Sequence, residues 1–85
     1  MNGIKTIQIL EDEHDSFYIR FPESHAEMLK AMKSLIPYED RRQEKDMGWV
    51  PDVKAWRFPM KFQNQVLLLA EQLTPWSIEE VDVLE

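Results

Sequence analysis

Two stretches near the start of the chain alternate apolar and polar positions. In residues 4–10 (IKTIQIL), Lys5, Ile7 and Ile9 share one face. In residues 16–21 (SFYIRF), Phe17, Ile19 and Phe21 point one way while Ser16, Tyr18 and Arg20 point the other. A period of two with β-branched and aromatic residues predicts strands. Between them lies Glu11-Asp12-Glu13-His14-Asp15, a polar connection of hairpin length. The pair therefore reads as an antiparallel hairpin with one buried face.

Pro22 stops the second strand, and the period then changes. Ser24-His25-Ala26-Glu27 matches a capping box, in which the Ser24 hydroxyl accepts from the Glu27 amide and the Glu27 carboxylate reaches back. Met28, Leu29, Met32, Leu35 and Ile36 follow as one helical stripe. Lys30 and Lys33 sit in its later half, where the helix dipole favours cations. Pro37 ends it by pushing Ile36 out of the helical region. Residues 38–46 (YEDRRQEKD) form a charged loop. Met47-Gly48-Trp49-Val50 and Ala55-Trp56-Arg57-Phe58 read as short strands around a Pro51-Asp52-Val53-Lys54 turn, with Trp56 and Phe58 on one face and Arg57 on the other. After Pro59, a second helix places Phe62, Val66, Leu69, Ala70 and Leu73 at helical spacing. Leu67 and Leu68 widen its apolar face, so deep burial is expected, and Pro75 closes it. In the tail, Val81 and Val83 alternate with Glu80 and Asp82, the pattern of an acidic edge strand. The expected architecture is α+β: a single domain over residues 1–85 in the order β-β-α-β-β-α with a C-terminal edge strand. It has an antiparallel sheet packed against two helices.

A chain of 85 residues has room for one core and no large internal cavity. The absence of cysteine excludes a disulfide framework, a thiolate metal site and a cysteine nucleophile, and fits a reducing cytosol. No charged segment leads into an apolar run near Met1, and the longest apolar run, Val66 to Ala70, is too short to span a bilayer. A cytoplasmic protein with no membrane partner is expected.

Charge changes the picture more. The net value of −6 argues against a general polyanion binder. Residues 1–19 carry one Lys against four acids, and residues 63–85 carry five acids and no base. Residues 20–62 carry nine Lys and Arg against seven acids. Any anion-binding face therefore comes from the middle.

No side-chain constellation points to catalysis. The acidic run around His14 lacks the glycine turn and ligand register of a calcium loop, and reads as a solvated turn. His25, at the start of the first helix, has no visibly paired nucleophile and reads as a partly exposed surface residue. There is no phosphate-cradling glycine loop and no nucleophile elbow. No enzyme activity, metal or cofactor is expected. The segment Arg41 to Lys61 stands apart, because Arg41, Arg42, Lys45, Lys54, Arg57 and Lys61 are interleaved with Trp49, Trp56 and Phe58. Arginine forks fit phosphates, and an exposed indole offers a face to an unpaired base. The competing reading makes both tryptophans core residues and pairs the arginines with Glu39, Asp40, Glu44 and Asp46.

Over residues 16–73 the chain resembles the HARP domain of annealing helicases and related modules beside phage and bacterial helicases. The motifs that carry the likeness are Phe17-Tyr18-Ile19, Ile36-Pro37, Arg41-Arg42, Trp49-Val50-Pro51-Asp52, Lys54-Ala55-Trp56-Arg57-Phe58-Pro59 and Leu67-Leu68-Leu69. The resemblance implies an accessory module that recognises single-stranded or branched DNA. Arg41 and Arg42 would contact phosphates, Lys54, Arg57 and Lys61 would extend the patch, and Trp49 or Trp56 would stack on a base. The other expectation is a protein-interaction module, a phage or mobile-element regulator or a nucleic-acid mimic. Its acidic hairpin and tail would dock a basic protein.

Overall fold

Strand β1 (Thr6–Asp12) turns through residues 13–15 into β2 (Ser16–Arg20), in a register that sets Ile9 opposite Ile19 and Glu11 opposite Phe17. The structure is a computed structural model that describes residues 5–42 and 46–84. Helix α1 (Ala26–Leu35) follows, then β3 (Gly48–Val50), β4 (Ala55–Pro59), α2 (Gln63–Leu73) and β5 (Ser77–Glu80). Among the described residues, the 3-10 turns Tyr38–Asp40 and Met60–Phe62 bridge between elements. The five strands form one open sheet in the order β3-β4-β2-β1-β5. The fold is α+β, as the patterning implies.

The sheet is mixed rather than antiparallel, because β5 runs parallel to β1. The chain leaves little choice here. Strands β1 and β4 are both antiparallel to β2 and so run the same way. One helix between β4 and β5 returns the chain to its starting end, so β5 runs with β4 and therefore with β1. Strand β5 also lies nearer Pro75 than the Val81–Val83 alternation implies: Ile78 supplies its inward side chain, and Val83 is 59% exposed.

The core lies between one sheet face and the two helices. Ile7, Ile9, Phe17, Ile19 and Phe58 from the strands meet Met28, Met32, Ile36, Val66 and Ala70 from the helical side. Phe17 and Phe58 are paired across β2 and β4, with ring centroids 6.1 Å apart. Burying each contributes about 1.5–3 kcal/mol. The stripe predicted for α1 is the buried one. Its N-cap is His25 rather than Ser24: the imidazole Nδ1 accepts from the Met28 N–H at 3.1 Å. Ile36 is extended (φ −102°, ψ 117°), as a residue before proline should be. In α2 the expected deep burial of Leu67 and Leu68 is not found. Val66 and Ala70 occupy the inner face, Leu67 and Leu69 flank it half-buried, and Leu68 is 55% exposed. Among the described residues no helix covers the other sheet face, from which Gln8, Leu10, Tyr18, Arg20 and Arg57 project.

Candidate nucleic-acid interface

The residues singled out between Arg41 and Lys61 do not form one patch. The alternation along β4 sends Trp56 to the helix side of the sheet and Arg57 to the open side. There Arg57 is nearly buried, with 13% of its side chain exposed. Its Nη2 donates to Asp12 Oδ2 at 2.9 Å, its Nε to Ser16 Oγ at 3.0 Å, and its Nη1 to the Asp46 carbonyl at 3.2 Å. The guanidinium also lies over the Tyr18 ring, 5.7 Å from its centroid. Arg57 ties β4 to the β1–β2 hairpin, and three of its five N–H donors are committed within the domain.

Asp12 is the other half of this tie. Burial alone would raise its carboxyl pKa. The His14 N–H (3.4 Å), the Ser16 hydroxyl (3.2 Å) and the Arg57 charge outweigh that, and hold it below the ordinary aspartate value. The acidic connection read as a solvated turn is therefore solvated at Glu11, Glu13, His14 and Asp15, while Asp12 is half-buried against Ser16 and Arg57 on the open sheet face.

Arg41 and Arg42 are half-buried beside the 3-10 turn after α1. The Arg41 Nε donates to the Ile36 carbonyl at 3.1 Å, closing the end of the helix, and its guanidinium lies over Tyr38. Lys61 is exposed, with its ammonium 3.8 Å from Asp40 and over the Phe62 ring. Lys45 lies outside the described residues. The pairing expected of the arginine pair in the competing reading is thus replaced, at Arg41, by a backbone carbonyl.

Trp49, Lys54 and Trp56 do come together, on the helix side of the β3–β4 hairpin. Trp49 is 41% exposed and meets Trp56 edge to face, with centroids 5.4 Å apart and planes at 63°. Trp56, half-buried, stacks in turn on Phe58 (6.0 Å, 10°), so the row runs from solvent into the core. Neither reading of the two indoles holds for both: Trp56 belongs largely to the core, and Trp49 stands at its edge. Lys54 is exposed at the end of the turn, in the left-handed region (φ 53°).

These three residues form one wall of a surface cleft of about 730 Å³. Phe21 and Leu29 add apolar lining, and Ser24, His25 and Ala26 bring the start of α1 to the opposite wall. Arg20, which sequence reasoning left unassigned, fixes the geometry. Its Nε and Nη2 donate to the Val53 carbonyl at 3.2 and 2.8 Å, and its Nη1 donates to Gln8 Oε1 at 3.2 Å. It thereby clamps the turn that presents Lys54. Phe21 was legible as an inward residue at the end of the β2 pattern. His25 carried no signal of its capping role.

Among the described residues, no group of three or more His, Asp or Glu side chains is placed to hold a metal ion, and no helix is long and apolar enough to cross a membrane. Comparison with family models, with curated proteins and with solved structures gives no match for this chain.

Proposed function

We propose that this chain is a small non-enzymatic accessory module that binds single-stranded or branched DNA by stacking an unpaired base in the Trp49–Trp56 cleft. The observation that carries the reading is the half-exposed Trp49 ring, braced edge-on by Trp56, with Lys54 beside it and the start of α1 facing it. Base–aromatic stacking contributes about 1–3 kcal/mol per base and tolerates any sequence. The helix N-terminus and Lys54 favour the accompanying phosphate. The binding mode departs from the one the residue pattern implies. Arg57 is committed to Asp12 and Arg41 to Ile36, so stacking takes precedence over a run of phosphate contacts.

This makes the salt dependence the sharpest test. For single strands, log K falls with log salt at about −0.7 per phosphate neutralised. With about two such contacts, affinity should fall only about sevenfold between about 50 and about 200 mM salt. The measurement is fluorescence anisotropy with labelled single-stranded and forked oligonucleotides. Absence of binding at tens of micromolar protein (about 50 mM salt) would overturn the proposal.

A second reading has its own observation. The parallel β1–β5 pairing places exposed Glu79 and Glu80 beside the strand that leads into exposed Glu11 and Glu13. A basic protein partner would find both acidic segments on one corner. Reversing Glu79, Glu80 and Asp82 should then release that partner, and retention of every partner after reversal counts against this reading.

A further inference from the structure

The cap that starts α1 is made by a titratable side chain. His25 holds the N-cap position with extended backbone (φ −143°, ψ 99°), and its Nδ1 accepts from the Met28 N–H at 3.1 Å. Serine, threonine, aspartate and asparagine ordinarily fill this place, and they keep their acceptor at neutral and mildly acidic pH. An imidazole keeps its acceptor only while it is neutral, here with the ring proton on Nε2. Met28 is fully buried, so its amide loses a partner without gaining water when His25 takes a proton. An imidazolium would also stand as a cation at the electropositive end of the helix.

The charged groups around His25 do little to offset this. Arg20, Glu23 and Lys54 line the same cleft. Two of them are cations, and the Glu23 carboxylate lies 2.9 Å from the Lys5 ammonium. On α1 itself Glu27 is exposed, where an ion pair contributes little. From the segment that leads into β5 the neighbour is Trp76, which carries no charge and meets the imidazole edge to face at 5.3 Å. An imidazolium can keep that contact but cannot accept from Met28.

We infer that His25 makes the start of α1, and with it one wall of the cleft, a proton-sensitive element that is ordered at neutral pH and loosened by mild acid. His25 lines the cleft between Ser24 and Ala26, across from Trp49 and Trp56. Its carbonyl also accepts the Leu29 N–H at 3.0 Å, at the start of the helix. Releasing the cap therefore frays the turn that forms this wall, whatever ligand the cleft takes. Unfolding frees the imidazole to take a proton without giving up a hydrogen bond. The stability from this cap is thus complete above the range where a free imidazole titrates, and is lost as pH falls through it.

The test is urea unfolding of the parent, H25N and H14N at about pH 7.5 and about pH 5.5, on either side of the imidazole range. Asparagine at the N-cap keeps an acceptor and does not titrate. His14 is the chain's other histidine and is exposed. An unfolded imidazole titrates near about pH 6.5, so full exclusion of its proton from the folded state raises the unfolding constant at most about tenfold over this interval. On acidification that constant should rise about three- to tenfold more in the parent than in H25N, and H14N should follow the parent. Amide exchange, corrected for its intrinsic pH dependence, gives the local readout. Protection of the Met28 amide should fall in the acidified parent and hold in H25N. If H25N is as acid-sensitive as the parent, or if Met28 stays protected in the parent, the inference fails. Loss of the acid sensitivity in H14N would refute it equally, by moving the sensor to the β1–β2 turn. H25S, a second cap that does not titrate, carries the same comparison if H25N does not fold.

Discussion

Replacing Trp49 separates a stacking platform from a core residue. A tryptophan side chain offers roughly 200 Å² for burial, and at 41% exposure about 120 Å² of Trp49 is removed from water. At about 25 cal/mol per Å², that burial contributes at most about 3 kcal/mol, of which alanine keeps a part. The edge-to-face contact with Trp56 adds about 1 kcal/mol. Trp49→Ala should therefore lower the unfolding free energy by about 2–3 kcal/mol, and Trp49→Phe by about 1 kcal/mol. Both variants should stay folded. Loss of the stacked base should weaken single-strand binding about 5- to 150-fold in Trp49→Ala, while Trp49→Phe keeps most of the affinity. Urea denaturation gives the first quantity and anisotropy the second. A folded Trp49→Ala that binds single strands as well as the parent would refute the stacking argument. A stability loss above about 5 kcal/mol would instead place Trp49 in the core.

The Asp12–Arg57 tie makes a pH prediction. The folded-state carboxyl titrates below its unfolded value of about 3.9, so its contribution is complete above that value and is lost as pH falls through the lower, folded one. Asp12→Ala should cost about 1–3 kcal/mol at pH near 7 by leaving Arg57 with an unmatched charge, and the gap to the parent should close in urea melts at strongly acidic pH. Gly48 offers a backbone test. At φ 89°, a Cβ there would sit 2.5 Å from the Arg41 carbonyl oxygen. Gly48→Ala should destabilise by about 2 kcal/mol or more and loosen the loop after α1. Unchanged thermal unfolding of Gly48→Ala would show that the two segments are not held so closely.

Local patterning was enough where neighbours in sequence decide the structure. The alternation at Phe17 and Ile19, the stripe from Met28 to Ile36 and the Pro51-Asp52 turn all act over a few residues, and each appears where the pattern puts it. The departures arise where distant segments compete. Three consecutive leucines cannot all face one core, because residues two apart on a helix point about 200° apart. Once Val66 and Ala70 take the centre, Leu68 goes to solvent. The direction of β5 is set by the path of α2 and the place left open beside β1, which no property of residues 77–83 records. The role of Arg57 is the plainest case. Alternation gave its face, but Asp12, its partner across the sheet, lies 45 positions away.

That reassignment bears directly on function. A net charge of −6 looks hostile to DNA, and the sequence offers Arg41, Arg42 and Arg57 as its arginine phosphate ligands. The structure uses two of these as struts, Arg41 on the Ile36 carbonyl and Arg57 on Asp12, and adds a third in Arg20 on the Val53 carbonyl. Each joins a segment of β3, β4 or their flanks to another part of the domain. Arg20 and Arg57 hold the hairpin that carries Trp49 and Lys54, and Arg41 closes the end of α1. A binding surface held in place this way loses little conformational entropy on association, so a few stacking contacts go further than they would on a mobile loop. On the proposed reading, Arg41 and Arg57 would serve the interface indirectly, by holding the structure around it. If the cleft binds DNA as proposed, replacing Arg20 should weaken binding by releasing the Val53 carbonyl and so disordering the turn that carries Lys54.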